Sequence, residues 1–134
     1  MNKLEYIPGD LVYIHGSLRI ISNCDGYYAT YYDEDETLQE INVNVIEGIS
    51  LTKEILEKNG WKLHKHHKRD SYDDVSWSSY HKPAEANISL RFYPEEEAFF
   101  PFLYAEEISE TPIRYIHQFQ HLLFGLGLNS EMKI

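Results

Sequence analysis

Leu11-Val12-Tyr13-Ile14-His15-Gly16-Ser17-Leu18-Arg19-Ile20-Ile21-Ser22-Asn23-Cys24-Asp25-Gly26-Tyr27-Tyr28-Ala29-Thr30-Tyr31-Tyr32 consists of short β-rich runs divided by turn residues. Branched and aromatic side chains fit a pleated surface, whereas His15-Gly16-Ser17 and Asn23-Cys24-Asp25-Gly26 interrupt it with residues that tolerate tight turns. The reading is strand, turn, strand, turn, strand, introduced by the turn Pro8-Gly9-Asp10 and closed by the acidic loop Asp33 to Thr37. Leu38, Ile41, Val43 and Val45 then mark a fourth strand, with Ile41, Val43 and Val45 alternating against Asn42, Asn44 and Ile46. Four short strands at close spacing predict an antiparallel β-meander of the SH3-like barrel kind.

The pattern changes at Thr52, which reads as the N-cap of a short helix. Glu54 lies in its first turn, Ile55 and Leu56 supply its apolar side, and Gly60 stands where a C′ glycine ends it. Trp61 to His64 and Val75 to Tyr80 predict a hairpin around the loop Lys65 to Asp74. Asn87 to Tyr93 alternates cleanly, Ile88, Leu90 and Phe92 against Ser89, Arg91 and Tyr93, and Ala98 to Ala105 returns as its partner. Pro101 marks that partner as an edge or a bulge, because it has no N–H for a ladder. Thr111 as N-cap and Pro112 at the first helical position predict a closing helix, with the apolar stripe Ile113, Ile116, Phe119 or Gln120, Leu123 and Leu126 and a stop at Gly127. The fold class is α+β: an N-terminal meander, a short helix, β-hairpins and a C-terminal helix packed on the sheet. At 134 residues a single domain is expected, with 1–51 and 52–134 as its two possible lobes.

Charge narrows the function classes. The 22 acidic and 12 basic side chains leave a formal charge of −10, a field that repels phosphate backbones and anionic membranes. Direct nucleic-acid binding and membrane association are therefore not expected. The one basic cluster, Lys62, Lys65, Lys68 and Arg69 among histidines 64, 66 and 67, is hemmed in by Asp70, Asp73 and Asp74. The chain has one cysteine, Cys24, and thus no intramolecular disulfide. No N-terminal apolar h-region and no stretch of about eighteen apolar residues is present, so a cytoplasmic location is expected.

His117 and His121, four residues apart on the closing helix, have the spacing of a chelating pair for zinc. A third ligand would come from another segment, such as His15 or His81. Gln118 stands where a zinc protease needs the glutamate that activates water, and the same spacing suits a partly buried, hydrogen-bonded helix face. The run 64–69 is expected to be a solvated loop, and Cys24 a small buried residue. The acidic loops lack the alternating pattern of a calcium loop. No glycine-rich phosphate loop, nucleophile elbow or paired-cysteine motif occurs, so no catalytic residue and no cofactor is assigned.

With 11 tyrosines and an aromatic fraction of 14%, some rings must reach the surface, where tyrosine serves as a binding anchor. Tyr27, Tyr28, Tyr31 and Tyr32 are the candidates. A protein partner is expected. Self-association through the closing helix or a strand edge, and nucleic-acid mimicry by carboxylates gathered in rows on one face, are the alternatives.

Leu51-Thr52-Lys53-Glu54-Ile55-Leu56-Glu57-Lys58-Asn59-Gly60-Trp61 and Ile113-Arg114-Tyr115-Ile116-His117-Gln118-Phe119-Gln120-His121-Leu122-Leu123-Phe124 resemble a family of small uncharacterised proteins of phages and mobile elements of gut bacteria. In that family a short LT-x-E-x-L helix ending in glycine precedes a β-hairpin and a closing helix with a V/I-H-Q-L-Q core. Gly9-Asp10-Leu11-Val12-Tyr13 resembles its opening strand, and Phe119 stands where leucine is usual. The resemblance implies a small accessory protein that works by contacting another protein. It supplies no activity and no catalytic residues.

Overall fold

A computed structural model describes residues 5–72, 75–83, 87–104, 106–108 and 111–134. Asp73, Asp74 and Ala105, parts of the expected loop and strand, lie outside the described residues. Among the described residues the architecture is α+β, with two five-stranded antiparallel sheets, a short helix and a C-terminal helix. The chain divides into two compact units, Met1–Ser50 with Tyr115–Met132, and Leu51–Arg114 with Lys133–Ile134. No helix among the described residues is long and apolar enough to cross a membrane.

In the first unit β1 (Leu11–Ile14), β2 (Ser17–Cys24), β3 (Tyr28–Tyr32) and β4 (Leu38–Asn42) form the expected meander. His15 and Gly16 connect β1 to β2 with φ of 51° and 78°, the left-handed pair that matches the twist of a two-residue hairpin. The expected fourth strand stops at Asn42. Its side chain accepts a hydrogen bond from the Asn44 N–H and caps a 3₁₀ turn, Val43–Val45, where the alternating valines had predicted continued strand. The turn redirects the chain into β5 (Ile46–Glu47), which pairs with β1, giving the order β4-β3-β2-β1-β5. Tyr6, Val12, Ile14, Ile21, Cys24, Ala29 and Ile46 form the core on one face, with Tyr31, Ile41 and Val43 packed against it.

The closing helix α2 (Ile116–Gly125) belongs to this unit and not with residues 52–114, where the lobe division at Thr52 would put it. It also begins later than Thr111 and Pro112 predict. Residues 113–115 are held extended instead: Ser50 bridges Tyr115, and the Ile116 N–H donates to the Ile49 carbonyl at 2.8 Å. Those backbone bonds are lost if the first turn forms at Pro112, so the N-cap falls on Tyr115. Its N–H donates to the Gln118 side chain at 3.1 Å, which replaces one missing helical partner. At the other end Leu128 N–H bonds the Leu123 carbonyl and Gly127 N–H the Phe124 carbonyl, with Gly127 at φ 73°. This is the glycine stop read from the sequence.

In the second unit α1 (Lys53–Lys58) follows the local signals closely. Thr52 Oγ1 accepts from the Ile55 N–H, Glu54 occupies the first turn, and Gly60 at φ 87° ends the helix just before the buried Trp61. The sheet comprises β6 (Lys62–His67), β7 (Trp77–His81), β8 (Ile88–Tyr93), β9 (Ala98–Leu103) and β10 (Glu106–Glu107), in the order β10-β9-β8-β7-β6. The run 64–67, expected as loop, is strand. Its backbone pairs with β7 while Lys65 and most of its histidines stay in solvent at the open edge, where charge discourages unwanted pairing. Pro101 lies in β9, opposite Leu90, on a strand flanked on its other side by the two-residue β10. Its missing N–H faces that short neighbour, the side on which the Pro101 carbonyl accepts from Ile108.

Candidate functional site

Side chains alternate across a strand, so one face of the first sheet supplies the core and the other face is left to Leu11, Tyr13, Leu18, Ile20, Tyr28, Tyr32, Leu38 and Glu40. The register sets them side by side: Leu11 opposite Ile20, Tyr13 opposite Leu18, and Tyr32 opposite Leu38. Because Ile21 pairs with Tyr31 on the core face, Ile20 and Tyr32 are neighbours on the outer one. The result is an apolar row, Leu11-Ile20-Tyr32-Leu38, crossing four strands. Ile20 is 61% exposed, Tyr32 57% and Leu38 52%, an unusual amount of water contact for three consecutive cross-strand neighbours. Leu11, Leu18, Ile20, Ser22 and Tyr32 also line an open cavity of about 510 Å³.

The tyrosine candidates divide accordingly. Tyr28 and Tyr32 stand on the outer face, and Tyr27 is exposed in the turn before β3. Tyr31 is turned inward against the core, with the Arg19 guanidinium 5.8 Å from its ring centre. Leu18, Ile20 and Leu38 complete the surface, and sequence reading missed them because alternation alone does not say which face is covered.

Carboxylates border this surface. Arg19 pairs with Glu34 at 2.8 Å, Asp35 and Glu36 are exposed in the loop, and Glu40 is exposed on β4. Asp33 holds the loop together by accepting from the N–H groups of Asp35 and Thr37 and from Gln39. Those bonds, that of Thr37 foremost, hold its carboxyl below the usual range. Asp25 does the same for the preceding turn through Tyr28 and Tyr27. The two aspartates are thus committed to turns, while Asp35, Glu36 and Glu40 face solvent.

His117 and His121 do lie on one side of α2, with ring centres 5.8 Å apart. His121 Nε2 donates to the Asp10 carboxylate at 2.7 Å, and the same oxygen accepts from the Ile7 N–H. His117 is 1% exposed, and both its ring nitrogens lack a hydrogen-bond partner among the described residues. Burial holds it below the ordinary histidine range, against the pull of Asp10. No group of three or more His, Cys, Asp or Glu donors placed to hold a metal occurs among the described residues. His15 sits exposed in the β1–β2 turn, and His81 packs edge-on against His64 in the second sheet. Cys24 is buried in the first core.

No family model, curated protein or solved structure matches the chain.

Proposed function

We propose that this protein is a non-catalytic interaction module, and that its partner is a protein seated on the outer face of the first sheet. The observation that carries the reading is the exposed row Ile20-Tyr32-Leu38, beside the buried Leu11, with the solvent-facing carboxylates Asp35, Glu36 and Glu40 at its border. Apolar side chains aligned across strands supply area to be removed from water, and a tyrosine at the centre adds a rigid anchor with a polar tip. The bordering negative charge selects a partner whose contact surface is apolar with a basic rim, and speeds its approach at low salt. The motif resemblance to small phage and mobile-element proteins supports an accessory role of this kind.

The test is capture from host extract by tagged wild type, by Ile20→Glu and by Tyr72→Ala, with thermal melting to establish that all three are folded. Tyr72 is 98% exposed and lies in the second unit, so it serves as the control. A stoichiometric partner that is retained by wild type and Tyr72→Ala, lost with Ile20→Glu and weakened by salt is the expected result. Equal retention by all three, or none by wild type, refutes the reading.

A further inference from the structure

The edge of β1 that faces away from β2 is only partly covered. β5 pairs with Tyr13 and Ile14 and reaches no further. At the open remainder, the Gln120 side chain takes the place of a strand residue. Its Oε1 accepts from the Leu11 N–H at 2.8 Å, and its Nε2 donates to the Gly9 carbonyl at 3.1 Å and to the Ser130 carbonyl at 3.0 Å. The amide has the donor and acceptor of a peptide group, so it closes the ladder, and it is held there by the buried side of α2.

On that same side, one turn earlier, is His117. Its surroundings favour the neutral ring over the imidazolium. The Tyr6 ring lies 4.9 Å away, Tyr115 is stacked nearly parallel at 5.8 Å, and a Cβ at Gly48 would stand 3.2 Å from its Cε1. The ionisable groups facing it are Glu5 and Asp10 of the N-terminal segment, the Tyr6 and Tyr115 phenols, and His121 on its own helix. Asp10 is already bonded to His121, and Glu5 stands 3.9 Å from His117 Nε2 with its side chain mostly in water. An imidazolium here would have two N–H donors and no acceptor within hydrogen-bonding distance among the described residues, a state that a buried site disfavours strongly.

We propose that His117 is an acid-sensitive latch, whose protonation frees α2 from β1 and uncovers the strand edge at Gly9 and Leu11. The exposed edge would carry a free N–H at Leu11 and a free C=O at Gly9. The latch acts through local opening, so β1 and β2 stay paired while the Gln120 contacts are lost.

Amide hydrogen exchange tests this on the full chain, read as protection factors corrected for intrinsic rates at pH 7.5 and 5.5. An imidazole with the ordinary pKa of 6.5 sets the ceiling, about a tenfold change between those two values for a site that stays neutral when closed. The expected result is a loss of protection of up to tenfold at the Leu11 amide, with the Val12 amide, which faces β2, changing much less. In His117→Gln and His117→Phe the Leu11 loss should vanish. An NMR titration of the His117 ring in wild type gives a readout that does not depend on either variant folding, and the ring should titrate below the ordinary histidine value. Unchanged Leu11 protection in wild type, equal losses at Leu11 and Val12, a loss that persists in a folded His117 variant, or a ring that titrates at or above the ordinary histidine value each overturns the proposal.

Discussion

Replacing Gln120 by leucine keeps much of the side-chain volume and removes the amide that completes β1. Three backbone groups then lose their partner: the Leu11 N–H, which is buried, and the Gly9 and Ser130 carbonyls, which are partly buried. A buried donor left unsatisfied costs about 1–3 kcal/mol, and carbonyls that can turn to water cost less. Gln120 itself is 5% exposed, so the leucine stays apolar and covered and recovers part of the loss. The net expectation is about 2 kcal/mol, or about 8 °C in Tm for a chain of this length. Urea unfolding at pH 7 measures it, with the same m-value for wild type and variant. Gln120→Glu separates the hydrogen bonds from the packing. It keeps the acceptor for Leu11 but turns a carboxylate on two carbonyls, so its folded-state pKa should rise. That variant should gain stability relative to wild type as pH falls through the raised value, because the protonated acid can donate again. A Gln120→Leu protein within about 0.5 kcal/mol of wild type would refute the argument, since it would mean that water serves the Leu11 N–H.

Two further outcomes follow from the same unit. Gly48→Ala places a Cβ 2.7 Å from Tyr115 Cδ1 and 2.9 Å from its Cγ, inside a ring that cannot flex, so a loss of about 1–3 kcal/mol is expected in thermal melts. The combined Gly48→Ala/Tyr115→Ala protein should recover part of that loss. The Tyr6 phenol is pushed up to about 12, by burial first and then by the neighbouring Glu5 carboxylate. Its contribution to stability is full below pH 10 and declines as pH rises towards 12, and Tyr6→Phe should remove the last component from an ultraviolet titration of the tyrosines.

Several elements were legible because the forces that make them act over a few residues. Thr52, Glu54 and Gly60 cap a single short helix with their own side chains and φ angles, and the alternation of Ile88, Leu90 and Phe92 records one covered face. Other local patterns were overruled by distant partners. Thr111-Pro112 is a good helix start, yet the backbone that follows is spent on Ile49 and Ser50. The valines at 43 and 45 suit a strand, yet Asn42 caps a 3₁₀ turn and the chain leaves to meet β1. The histidine-rich run looks solvated, and its side chains mostly are, but its backbone is claimed by β7.

The candidate site shows the same division. The sequence alone determined that tyrosines would reach the surface, that His117 and His121 would share a side of one helix, and that the chain would carry excess negative charge. It could not determine that Gln120 would finish the edge of a strand 109 residues earlier, that Asp10 would hold His121 across 111 residues, or that Ile20, Tyr32 and Leu38 would align on an uncovered face. Periodicity records which residues share a face, because that depends on the repeat of the backbone. Which face is covered, and which buried nitrogen finds a partner, depends on where the chain returns, and that is decided only when the tertiary structure forms.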